Sequence, residues 1–233
     1  MAALPPTFFF SLRSPYSWLA WHDLKVRYPK LIKRLRLVPF WEPDEDNQNL
    51  LGEQGHAFLY GTMSREKHLY ILSDVKRLCR QRGLPVCWPV DTDPHWEVPH
   101  LAYLAAAGAG KGLEFIEAAY HARWLDGVDI CDPRNMGALA PSLGLPAGLL
   151  ADAHGAADLR ALGLAALREC IDAHAFGVPF FVTGRERYWG LDRLPDFIGA
   201  LADAGPSAAP LVPGPALMGS RVNAIFDHAG GCG

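Results

Sequence analysis

Apolar positions along this chain keep two rhythms, and the switches between them divide it into three stretches. Residues 7–12 (Thr-Phe-Phe-Phe-Ser-Leu) form a short aromatic-rich run bounded by Pro5-Pro6 and Ser14-Pro15, the pattern of a buried strand. A helix should follow at once: Ser14 suits an N-cap, Pro15 the first helical position, and Tyr16, Leu19, Ala20 and Leu24 recur at helical spacing until Tyr28-Pro29. Arg34-Leu35-Arg36-Leu37-Val38 then alternates as a second strand, so the first forty residues read as a βαβ unit with parallel strands. From about 62 to 175 the strand rhythm is lost. Helices are predicted over 64–83, with Leu72, Val75, Leu78 and Cys79 on one face, and over 95–107, 111–125, 133–143 and 156–174, the fourth capped by Asp132-Pro133. Strands return at Phe180-Phe181-Val182 and Arg187-Tyr188-Trp189, a hairpin around Thr183-Gly184-Arg185-Glu186, followed by a last helix from about Asp192 to Ala204. Residues 205–233 are rich in Pro, Gly and Ala without periodicity and read as an irregular tail.

Composition narrows the possible roles. With 233 residues, half of them hydrophobic, the chain can bury a core without disulfides or a structural metal. Twenty-two Lys and Arg against 25 Asp and Glu give no basic field for phosphate backbones, so a nucleic-acid partner is not expected. The first residues lack a basic segment and a long apolar run, which points to a cytoplasmic protein without a membrane span. Five cysteines (79, 87, 131, 170 and 232) are scattered with no CxxC, and the nine histidines form no HExxH, so neither a disulfide framework nor a metal site is expected. Gly108, Gly110, Lys111 and Gly112 miss the spacing of a phosphate loop and read as a turn between helices.

A βαβ unit, a long helical insertion, and a ββα unit opened by Gly177-Val178-Pro179 is the order of a thioredoxin-like α/β fold of the DsbA kind. Its expected parts are a split thioredoxin-like domain (1–61 and 176–204), a helical insertion domain (62–175) and the tail. Several motifs sharpen this: Ser14-Pro15-Tyr16-Ser17-Trp18-Leu19, Lys67-x-x-Tyr70, Asp126-Gly127-x-Asp129-Ile130 after Trp124, Phe176-Gly177-Val178-Pro179, and Trp189-Gly190-x-Asp192-Arg193-Leu194. Over residues 7–203 the chain resembles the family of 2-hydroxychromene-2-carboxylate isomerases and kappa-class glutathione transferases.

At the position where thiol oxidoreductases of this fold carry CxxC, the chain has Ser14 and Ser17. Hydroxyls form no disulfide, which excludes dithiol exchange there, yet a helix N-terminus still favours a thiolate supplied from outside. The resemblance implies that this thiolate is glutathione's. Ser14 would hydrogen-bond its sulfur as the catalytic residue, and Val178 beside a cis Pro179 would pair with its cysteinyl backbone. Asp192, with the backbone of Leu191, would take the γ-glutamyl end, and Lys67 would pair with a carboxylate. Each has a plainer reading: Ser14 and Asp192 as helix caps, Pro179 as a turn residue, Lys67 as a solvated helix lysine.

The family has a serine where this chain has Leu191. The stretch Glu42–Gly61 also lacks the family's Asn-x-Pro-Pro, which leaves Asn47 and Asn49 as candidates with no motif behind them. Tyr16, Ser17 and Trp41 are further candidates for the side of the site that faces a second substrate, with Phe58 and Tyr60 lining it and Trp18 either there or in the core. The implied activity is isomerisation of an aromatic or conjugated carbonyl compound by reversible thiolate addition, in a homodimer. A glutathione transferase that keeps the conjugate, and a non-catalytic binding module, are the alternatives.

Overall fold

The computed structural model describes residues 5–58 and 63–203; Tyr60, Cys232 and the tail 205–233 lie outside them. Three consecutive phenylalanines make the central strand β1 (Thr7–Phe10), every residue of which is buried. Parallel to it lies β2 (Arg36–Pro39), and on its other side β3 (Phe180–Thr183) runs antiparallel and pairs in turn with β4 (Glu186–Trp189), giving the order β2-β1-β3-β4. A central strand covered on both faces needs apolar residues at every position rather than at alternate ones. Phe8 stacks on Phe181 at 4.8 Å, and Phe181 on Phe197 of the last helix at 5.0 Å, whereas Phe9 meets Phe180 edge-on across the opposite face.

Helix α1 (Pro15–Arg27) starts where the sequence puts it, with Ser14 in extended conformation, and stops at Tyr28 before the short α2 (Pro29–Ile32). After β2 come α3 (Glu45–Glu53), α4 (Arg65–Gln81), α5 (Glu97–Gly108), α6 (Gly112–Trp124), α7 (Pro133–Leu143), α8 (Ala147–Ala151) and α9 (Ala157–Asp172). Ser64 and Asp132 cap α4 and α7 with their side chains, and Gly110 at φ 74° makes the turn between α5 and α6. The described residues end with a 3₁₀ turn (Leu191–Arg193) leading into α10 (Leu194–Asp203).

The strand expected over 7–12 ends at Phe10 because the next backbone donors turn to side chains: Ser11 N–H to Ser17 and Leu12 N–H to His100. The second strand starts at Arg36 rather than Arg34, because Arg34 and Leu35 donate back to Leu31 and Ile32 in a turn. Asp192 does not begin the last helix; it sits inside the 3₁₀ turn that precedes it. Among the described residues no helix is long and apolar enough to cross a membrane.

Candidate active site

The sheet register gathers the quoted motifs at one end. Phe9 pairs with Phe180, so the loop that leaves β1 after Phe10 lies beside Pro179, and β4 brings Gly190 alongside, where its N–H donates to Pro179 O at 2.9 Å. The turn Leu191–Arg193 then packs against α1. The Val178–Pro179 peptide is cis, as the resemblance implied. Among the described residues none hydrogen-bonds the backbone N–H or C=O of Val178.

Ser11, Ser14 and Ser17, three residues apart, close a ring of hydrogen bonds. Ser14 N–H donates to Ser11 O (3.1 Å), Ser17 N–H to Ser14 Oγ (3.2 Å), and Ser11 N–H to Ser17 Oγ (3.3 Å). Ser14 Oγ is thus an acceptor toward its own helix, which leaves the Ser14 O–H to donate elsewhere. No acceptor for it occurs among the described residues, and the residue is half-buried, open to a ligand. In the first turn of α1 Pro15 carries no N–H and that of Ser17 is spent on Ser14, which leaves Tyr16 N–H, and the helix end adds partial positive charge.

Tyr16 stands next to this helix end and donates to Asp74 Oδ2 on α4 at 2.8 Å; burial first, then Asp74, pushes its phenol pKa up. Asp74 also receives Arg77 at 2.8 Å. Lys67 is exposed on the first turn of α4, seven residues before Asp74 and so on the same helix face, about 10 Å along it. Asp192 is 74% exposed and accepts no hydrogen bond from a described residue, with Arg193 Nη1 at 3.7 Å; Leu191 beside it is half-buried.

Other candidates are spent inside the fold. Ser17 is fully buried, accepting from Ser11 N–H and lying in hydrogen-bond contact with Tyr120, so it offers no surface to a substrate. Trp41 is 2% exposed and stacks on His100 at 5.1 Å, and Trp18 stacks on Trp124 at 5.8 Å; both are core rather than an aromatic wall. Phe58 packs on Phe40. Asn47 is buried in α3, its N–H donating to Asp44 and its amide to Glu97, while Asn49 is exposed on the same helix.

His100 was missed. It is wholly buried on α5, its Nδ1–H donating to Trp96 O (2.7 Å) and its Nε2 accepting from Leu12 N–H (3.1 Å) with Ser11 Oγ at 3.3 Å; desolvation depresses its pKa to about 3. No sequence motif marks it, because Ser11 and Leu12 lie 89 and 88 residues away. Asp44, His95 and Glu97 bring donor atoms within 4.8 Å of one another, but the two carboxylates already have duties. Asp44 caps α3 and pairs with Arg160 at 2.8 Å, and Glu97 accepts Asp44 N–H at 2.5 Å. Cys79, Cys87, Cys131 and Cys170 are free; burial raises the Cys79 thiol to about 11 and the Cys131 thiol to about 12. A groove of about 480 Å³ runs between α1, α6 and α7, lined by Trp21, Leu113 and Leu143, but it lies toward the far end of α1 from Ser14. A smaller cleft of about 300 Å³, bordered by Arg13, Glu42 and Trp96, adjoins the β1–α1 loop.

Comparison with solved structures matches this arrangement to proteins of one fold. A 2-hydroxychromene-2-carboxylate isomerase superposes with TM-score 0.66 at 17% identity, over 86% of this chain and 96% of its own. A probable DsbA oxidoreductase from Streptomyces coelicolor gives 0.62 at 19%, over 89% and 92%, and the cytosolic disulfide reductase DsbM from Pseudomonas aeruginosa with GSH gives 0.56 at 18%, over 86% and 98%. Comparison with curated protein sequences finds no match. The family model of the DSBA-like thioredoxin domain spans residues 7–202, and with the cis proline, the four-stranded mixed sheet and the helical insertion it makes this chain a member of the DSBA-like thioredoxin family.

Proposed function

We propose that the chain is a glutathione-dependent isomerase of a conjugated, unsaturated carbonyl compound, and not a disulfide oxidoreductase. The observation that carries this reading is the Ser14 hydroxyl: its oxygen is occupied by Ser17 N–H and its proton is left to donate at the N-terminus of α1. With serine at 14 and 17 the site holds no redox-active pair of its own, so a thiolate has to come from a bound molecule. Glutathione fits the free groups of this chain. Its sulfur would meet Ser14 O–H, its cysteinyl backbone the N–H and C=O of Val178, which no described residue pairs, its ammonium the exposed Asp192, and a carboxylate Lys67. A structural relative, DsbM, was solved with GSH, which supports this assignment.

When bound, glutathione supplies a nucleophilic sulfur that can add reversibly to a conjugated double bond. The protein's part is to orient and activate. Ser14 donates to the sulfur and, with the α1 N-terminus, stabilises its anionic form. Val178, Asp192 and Lys67 fix the tripeptide, and the cleft bordered by Arg13, the residue before Ser14, is the candidate place for a small substrate.

Calorimetric titration of glutathione tests the reading. Binding should be measurable at neutral pH, and Asp192→Ala should weaken it about tenfold, the scale of one partly solvated charge-assisted contact. No heat at millimolar glutathione would remove the nucleophile and with it the enzymatic reading. Chromatography of products from a panel of conjugated carbonyl compounds then checks the reaction. An isomer with all glutathione recovered is the expected result, and a stable sulfur conjugate would assign a transferase instead.

A further inference from the structure

We infer that His100 is a positioning residue for position 14, holding the β1–α1 loop from beneath so that the group at the N-terminus of α1 keeps its place and direction. The inference deepens the proposed function and rests on it for its catalytic meaning.

The ring formed by Ser11, Ser14 and Ser17 is anchored from outside at Ser11 and at Ser17. Tyr120 OH donates to Ser11 O at 3.0 Å and also meets the Ser17 hydroxyl, and His100 Nε2 lies 3.3 Å from Ser11 Oγ while accepting Leu12 N–H at 3.1 Å. Ser11 Oγ in turn accepts Arg13 N–H at 3.3 Å. Backbone donors of both Leu12 and Arg13, the residues that lead into Ser14, therefore depend on His100 directly or through Ser11. The imidazole itself is locked: Nδ1–H is spent on Trp96 O, and the ring is stacked on Trp41 with 12° between planes. A neutral ring in this tautomer presents Nε2 only as an acceptor, which is what two adjacent donors require. Burial keeps it neutral, as do the nearby cations Arg13 and Arg123. The arrangement couples the helical insertion, through α5, to the end of the sheet where chemistry is proposed.

The test uses a reporter that needs no glutathione. In a Ser14→Cys protein, the rate of iodoacetamide alkylation against pH gives the acidity of the thiol at position 14, and the exposed Cys87 together with Cys232 is changed to serine in every variant. With the loop held, that thiol should titrate well below 8.5. Adding His100→Asn keeps the bond to Trp96 O but withdraws the acceptor from Leu12 N–H, and alkylation at a pH well below the thiol's midpoint should fall about tenfold, one pKa unit. Adding His100→Gln, whose side-chain oxygen can reach the place of Nε2, should restore the rate to within about twofold. If the Asn protein does not fold, Ser11→Ala removes only the hydroxyl between His100 and Arg13 N–H and should move the rate in the same direction, by about threefold. Unchanged alkylation profiles in a folded His100→Asn or Ser11→Ala protein, with only the melting temperature lowered, would reduce His100 to a core residue and overturn the inference. Absence of glutathione binding by wild type would sink the proposed function while leaving this result standing.

Discussion

Ser14→Ala is expected to slow isomerisation of a conjugated carbonyl substrate about a hundredfold at saturating substrate, while glutathione still binds within about fivefold of wild type. The first figure is the usual cost of removing one preorganised donor from a group whose negative charge must be held for reaction. The second follows because Val178, Asp192 and Lys67, which would fix the rest of the tripeptide, are untouched. Alanine also removes the oxygen that accepts Ser17 N–H at 3.2 Å, and losing such a cap costs about 1 kcal/mol of stability. Ser14→Asp separates the two effects. Its carboxylate still caps α1 but has no proton to give and sets a negative charge beside the sulfur, so its melting temperature should stay near wild type while its rate falls at least as far as alanine's. Initial rates and melting curves of the three proteins decide the matter. A Ser14→Ala enzyme within threefold of wild type would show that the hydroxyl only caps the helix.

What the sequence made legible was whatever depends on near neighbours. Ser14 followed by Pro15 announces a helix start because N-cap and first-turn requirements are local, and α1 begins there. The aromatic run of β1, the Asp132 cap of α7 and the turn at Gly110 belong to the same class. The cis bond before Pro179 and the gathering of Val178, Pro179 and Asp192 near Ser14 were legible only through resemblance, since they follow from strand register across 170 residues. Helix α3 was hidden because only Asn47 and Leu51 of its nine residues are buried, too few to make an apolar stripe. Trp41 and Ser17 looked like lining because tryptophan and serine suit binding sites as well as cores. Their burial is decided by His100 and Tyr120, which reach them from α5 and α6. Long-range polar contacts of this kind leave no periodic trace, so the support beneath the site had to be seen in three dimensions.

Lowering the pH from 6.5 toward 3 is expected to destabilise the wild-type protein more steeply than a His100→Gln variant, by about 1.4 kcal/mol for every pH unit. The sign follows from where protons are held. In the unfolded chain His100 titrates near 6.5, whereas in the folded protein burial depresses its pKa to about 3. Between those values the unfolded state binds one proton more than the folded state, so each step down in pH favours unfolding. Above 6.5 neither state carries the proton and the term is absent; below about 3 both carry it and the slope vanishes. Opposing the proton is costly relief: a charged imidazolium would face the guanidinium groups of Arg13 and Arg123 and would turn Nε2 into a donor aimed at the Leu12 N–H donor. Glutamine does not titrate, and contributions from the other histidines cancel when the two proteins are compared at each pH. Urea denaturation at half-unit intervals from pH 7 to pH 4 supplies the difference. Parallel curves would mean that the folded protein accepts the proton on His100, and the neutral clamp on Leu12 would then be wrong.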